Sequence, residues 1–120
     1  MTLLLVAAGA AVGAPLRFLT DRALARLSDG RLPWGTLAVN VSGSCLAVLL
    51  AAAVTDPNWT ALLAVGFCGA LTTFSTFSYE TLMLIEEGRG PHALANVAAN
   101  LFGGLAAGLA GFGAAHLLFF

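Results

Sequence analysis

Lysine is absent from this 120-residue chain, and charged residues of both signs make up only 9% of it. A water-soluble domain carries about 25% charged residues, so the chain lacks the polar groups to cover a water-facing surface. With no lysine and a net charge of −1, it has no electrostatic footprint for nucleic acid. Carboxylates are missing from the first two apolar stretches; the six present are Asp21, Asp29, Asp56, Glu80, Glu86 and Glu87. Cysteine is scarce as well. Cys45 and Cys68 lie inside apolar stretches and read as small buried hydrophobes rather than as a disulfide or metal pair. His92 and His116 have no Cys or carboxylate at metal-ligand spacing. No hydroxyl sits in a nucleophile motif with a histidine partner, so an enzyme is not expected.

What is present is hydrocarbon. The chain is 59% hydrophobic, with a mean hydropathy of +0.92. That composition predicts an all-α integral membrane protein, a single domain over 1–120 with four transmembrane helices of about 20 residues or more. Apolar segments at about 3–19, 34–54, 59–85 and 92–120 mark the spans. No Lys or Arg precedes the first run, as a signal peptide would require, so it reads as a membrane helix, with Pro15 as a kink. Asp29-Gly30 breaks the linker 20–33, Thr55-Asp56-Pro57-Asn58 forms a tight turn, and Glu86 to Pro91 forms the last connection. Gly9 and Gly13, and Gly104 and Gly108, have the spacing that lets helices approach closely.

Polar groups at membrane depth need partners or water. Asn40 and Ser42 fall in the second segment, and Asn96 and Asn100, four apart, share one face of the fourth. The third segment carries Thr72, Thr73, Ser75, Thr76, Ser78 and Glu80, interleaved with Phe74 and Phe77. A single Ser or Thr bonding back to its own helix needs no further account. So many on one segment point to the lining of a path for a small hydrophilic solute. Phe74 and Phe77, three apart, share one helical face. Ring edges are the positive end of the aromatic quadrupole, and beside hydroxyl and amide donors they suit a small hard anion that must also leave its site. The third segment is long for one span, with Gly66 and Gly69 before the hydroxyls; a tilted helix accounts for the length, and so does a helix broken at mid-membrane, whose unwound backbone is tolerated only where protein surrounds it.

The residues Gly13-Ala14-Pro15-Leu16-Arg17, Gly35-Thr36-Leu37-Ala38-Val39-Asn40 and Gly66 through Glu80 resemble the Fluc/CrcB fluoride channels, and the likeness extends along essentially the whole chain. The resemblance implies a passive fluoride-selective channel that exports fluoride, built as an antiparallel, dual-topology-type dimer. It implies that Phe74, Phe77, Asn40, Thr76, Ser78 and Glu80 line the fluoride pathway and that Arg17 sits at a vestibule. It implies a structural Na+ at the dimer interface, held by the backbone carbonyls of Gly69 and Thr72 and not transported. Members of the family often place Tyr and Ser near the pore on the fourth helix; here Asn96 and Asn100 are the candidates.

All five arginines, Arg17, Arg22, Arg26, Arg31 and Arg89, lie in or beside the first and third connections. The positive-inside rule puts those connections in the cytoplasm and both termini outside a cell membrane. A homodimer of opposed subunits requires one chain to insert both ways, which this bias disfavours. The partner is therefore either an opposed copy or a homologous chain of opposite bias. An alternative of similar size is a proton-coupled exporter of the small multidrug resistance type. Such an exporter needs an intramembrane carboxylate, for which only Glu80 is available. A purely structural membrane subunit leaves the polar track unexplained.

Overall fold

The computed structural model describes residues 1–25 and 33–120, which are all-helical with no strand. Arg26, Arg31 and the expected Asp29-Gly30 break lie outside the described residues. The elements are α1 (Thr2–Ala25), α2 (Trp34–Ala53), α3 (Pro57–Trp59), a π-helix (Thr60–Cys68), α4 (Gly69–Leu71), α5 (Ser75–Glu86) and α6 (Gly90–Phe119). Four stretches are long and apolar enough to cross a membrane: Thr2–Ala25, Trp34–Ala53, Pro57–Glu86 and Gly90–Phe119.

The helix ends follow local chemistry. α1 runs through Pro15 and beyond the expected limit at residue 19, to Ala25. The residues after 19, Thr-Asp-Arg-Ala-Leu-Ala, contain no breaker, so the helix continues past its apolar part. Asp56 caps the next stretch: its Oδ1 accepts the Asn58 N–H at 2.8 Å, with Pro57 at the first helical position. α5 ends where Gly88 takes a φ of 77°. The Gly88 N–H reaches the Ile85 carbonyl and the Arg89 N–H the Leu84 carbonyl, at 3.1 and 2.8 Å. This pairing closes a helix end on a left-handed glycine, and α6 restarts two residues later with Pro91 in its first turn.

α2 packs along α6, and α1 packs along the π-helix. Glycine sets the second contact. A Cβ on Gly9 would stand 2.0 Å from the Leu62 carbonyl oxygen, and one on Gly66 would stand 2.5 Å from the Val6 carbonyl oxygen. The backbones therefore meet with no room for any side chain. On α6 the close approach falls at Gly111, where a Cβ would lie 2.2 Å from the Cys45 carbonyl oxygen. Gly104 and Gly108, singled out by spacing, make only ordinary contacts with Ser44 and Val48 at 3.6 and 3.4 Å.

The third span departs most from a plain helix. Its first half is π-helical, with the wider i→i+5 ladder. Gly69 remains helical, with φ −63° and ψ −36°. The chain leaves helical geometry at Thr72, where φ is −80° and ψ is 157°. The break therefore lies over residues 72–74, downstream of the glycines expected to cause it. Side-chain hydrogen bonds, not glycine freedom, account for its position.

Candidate functional site

The break faces a cavity of about 560 Å³. Asn40, Gly43 and Ser44 of α2 line it, as do Gly69, Thr72, Thr73, Phe74 and Phe77 of the third span and Asn100 of α6. Six site candidates from the sequence (Asn40, Gly69, Thr72, Phe74, Phe77 and Asn100) are thus gathered at one place. Thr76, Ser78, Glu80, Asn96 and Arg17 are not in this wall. Gly43 admits the break: a Cβ there would lie 2.2 Å from Thr72 Cγ2.

The wall is held by a directional run of hydrogen bonds. Asn40 accepts the Thr73 N–H on Oδ1 at 2.8 Å and donates from Nδ2 to the Thr73 carbonyl at 3.1 Å. The same Nδ2 donates to Asn100 Oδ1 at 3.0 Å. An asparagine amide has two protons, so both are engaged. Asn100 Nδ2 donates to the Asn96 carbonyl and to Asn96 Oδ1 at 2.9 and 3.0 Å. Asn96, only 1% exposed, donates to Thr81 Oγ1 at 2.9 Å. Thr81 Oγ1 closes the run on the Phe77 carbonyl at 2.8 Å. The three amides therefore tie α2, the break, α6 and α5 together, and among the described residues no buried side-chain N or O lacks a hydrogen-bond partner.

Hydroxyls divide into two kinds. Ser42 Oγ and Thr72 Oγ1 bond back to their own helices, to the Ala38 and Cys68 carbonyls at 2.7 and 3.0 Å. This is the local use that hydroxyls in apolar helices commonly find. Thr73 Oγ1 instead accepts the Thr76 N–H at 3.1 Å. It thereby caps the start of α5, whose first amides have no intrahelical acceptor. Thr36, 2% exposed, donates to Glu80 Oε1 and pins that carboxylate to α2. Thr36 and Thr81 had no assigned role in the sequence, and Thr73 was counted there as path lining rather than as a helix cap.

Phe74 and Phe77 meet with centroids 5.9 Å apart and ring planes 49° apart. Phe74 stands at the N-cap of α5 with helical φ and ψ (−89° and −37°), its carbonyl accepts the Ser78 N–H at 2.9 Å, and Phe77 follows three residues on, as expected for two rings on one face. Phe74 is 79% exposed on the single chain. The ring lines the cavity beside the Asn40 and Asn100 amides.

Two backbone carbonyls also stand out. In an uninterrupted α-helix the Gly69 carbonyl would accept from the Thr73 N–H and the Thr72 carbonyl from the Thr76 N–H. Both donors are engaged elsewhere, by Asn40 Oδ1 and Thr73 Oγ1. Carbonyl oxygens released from a ladder are hard donors suited to a hard cation. Among the described residues no cluster of three His, Cys, Asp or Glu side chains is present. A cation held at Gly69 and Thr72 would be bound through backbone carbonyl oxygen.

Comparison with known proteins adds to this geometry. Residues 4–112 match the model of the family described as CrcB-like protein, Camphor Resistance (CrcB). A protein of Streptomyces avermitilis named fluoride-specific ion channel FluC 1 is 52% identical over 115 residues, covering 92% of this chain and 93% of the relative. A Frankia casuarinae protein of the same name is 51% identical over 126 residues, covering 98% and 92%. A Leptospira interrogans protein named fluoride-specific ion channel FluC is 40% identical over 115 residues, covering 92% and 91%.

Proposed function

The chain belongs to the CrcB family, and from that membership we infer that it is a fluoride-specific ion channel rather than an enzyme. The proton-coupled exporter is not favoured: the relatives are named as channels, and Glu80, its only candidate carboxylate, is bonded to Thr36.

The observation that carries the mechanism is the cavity at the break, where Phe74 and Phe77 stand beside amides and no cationic side chain lines the wall among the described residues. Fluoride gives up much of its hydration on entry and needs replacements that hold it weakly. Ring edges provide partial positive charge without a full cation, so the ion is stabilised and still released. We assign the pathway to Phe74 and Phe77, with Asn40 and Asn100 on the facing helices and Asn96 behind them. Thr76, Ser78 and Glu80 continue the track along α5, and Arg17 attracts the anion at a vestibule. Passive flow through this path would lower cytoplasmic fluoride.

The assembly is an antiparallel dimer in the cell membrane, with the break at mid-membrane depth and Phe74 turned toward the partner. The exposure of Phe74 supports this. The arginine bias favours one orientation, with both termini outside, and hence a homologous partner chain of opposite bias over an opposed copy. A Na+ between the subunits would neutralise carbonyl dipoles that the break leaves without helical partners; Gly69 and Thr72 would hold it.

Fluoride efflux from liposomes containing the purified protein, with chloride as control, tests the function. Selective fluoride flux is expected. No flux, or equal chloride flux, overturns it.

A further inference from the structure

Asn40 stands on the pathway wall, yet its amide is fully engaged: Oδ1 takes the Thr73 N–H, and the two Nδ2 protons go to the Thr73 carbonyl and Asn100 Oδ1. No proton of that amide remains for an anion unless one of these bonds opens. The bond that matters most is the acceptance of the Thr73 N–H. That N–H is the donor which would otherwise close the α-helical ladder onto the Gly69 carbonyl.

We propose that Asn40 is a positioning residue that holds the third span open, keeping the Gly69 carbonyl out of the helical ladder and available to a hard cation. The proposal rests on the sodium reading for its consequence, but not for its geometry. Thr73 completes the device. With its N–H drawn to Asn40, its Oγ1 lies where it can cap the Thr76 N–H, which releases the Thr72 carbonyl in turn. One asparagine on α2 thus frees both oxygens through two successive bonds. The extended geometry at Thr72 is the backbone consequence. Gly43 leaves the room for Thr72 that this geometry requires. Without the Asn40 oxygen, the Thr73 N–H would be an unpaired donor in an apolar surrounding, and the nearest remedy is the Gly69 carbonyl.

Thr72–Thr73 is the sole Thr–Thr peptide in the chain. Threonine labelled with 13C at the carbonyl and 15N at the amide therefore gives one carbonyl–amide cross-peak in bilayer samples. With asparagine also labelled with 13C at Cγ, the wild-type Thr73 amide proton should show a through-space contact to an asparagine side-chain carbonyl carbon; its absence overturns the proposal, whatever the variants do. In Asn40→Ala the cross-peak should shift, whereas Asn40→Asp, which keeps an oxygen acceptor, should hold the Thr73 proton near its wild-type position. The sodium concentration that half-saturates the shift of this peak should rise about 10- to 100-fold in Asn40→Ala, the usual cost of losing a partner that orients a metal ligand. A peak and a sodium titration both unchanged in Asn40→Ala would reduce Asn40 to a pore-lining group and overturn the proposal, as would a moved peak with the wild-type sodium titration. If the peak moves but sodium titrates neither protein, the brace stands and the sodium reading falls.

Discussion

Asn40 and Thr73 exchange two hydrogen bonds across a 33-position separation, the side-chain amide of one pairing with the backbone amide and carbonyl of the other at 2.8 and 3.1 Å. An Asn amide presents a donor and an acceptor side by side, as a neighbouring strand would. It can therefore satisfy a residue expelled from a helix without help from water. This makes an unwound segment affordable inside an apolar bundle. It also anchors the break, since Thr73 is the residue of the third span whose backbone bonds Asn40.

The two phenylalanines should affect flux more than folding. An aromatic contact contributes about 0.5–1.5 kcal/mol, which corresponds to roughly a two- to tenfold change in rate. Phe74→Ile and Phe77→Ile should each slow fluoride efflux from liposomes by about that factor, with expression and thermal stability retained. Loss of folded protein with normal flux from the remainder would assign the rings to packing.

Asn96 should matter for stability. Its side chain donates to Thr81 and accepts from Asn100 in a buried position, so Asn96→Ala strands two partners. A cost of about 1–3 kcal/mol is expected, read as a lowered unfolding midpoint in detergent. Ser42→Ala is the contrast: Ser42 is exposed and bonds only its own helix, so its effect should stay within about 0.5 kcal/mol. Equal effects of the two changes would contradict the amide run.

Glycine spacing does not rank the glycines, but contact does. Gly66→Ala forces a methyl against the Val6 carbonyl and should destabilise by about 1–3 kcal/mol, as overpacking does. Gly104→Ala meets only Ser44 Oγ at 3.6 Å and should be tolerated. The comparison is made by thermal unfolding of both variants, and a reversed order would show that α1 and the π-helix pack otherwise.

Orientation is tested with a reporter at the C-terminus. With five arginines in or beside the first and third connections, signal is expected on the outer face alone. Substantial signal from both faces would show that the chain inserts both ways, and an opposed homodimer would follow.

The membrane class, the four spans and the cluster of candidate groups were legible in the sequence, because hydrocarbon penalises every uncompensated polar group. Few patterns survive that penalty, and the hydroxyl run is one that demands an explanation. Connections were legible for the same local reasons: Asp56 with Pro57, and Gly88 before Pro91, act within a few residues. The π-helix was not foreseen; nothing in Thr60–Cys68 distinguishes it by composition from an ordinary apolar helix. The place of the break was legible only in part: an expected break over Gly69 to Thr72 shares Thr72 alone with the observed 72–74. Gly69 offers the freedom to unwind but stays helical, while Thr72, with no such freedom, is where the chain turns out. Sequence can indicate that a segment tolerates unwinding. Where it unwinds is decided by which backbone donor finds a better acceptor than its own helix, and that depends on α2 bringing Asn40 to Thr73. The partners of the amides were hidden for the same reason. Asn96 and Asn100 were visible as one face of a helix, but the direction of the run from Thr73 through Asn40 to Thr81 exists only once α2, α5 and α6 are packed together.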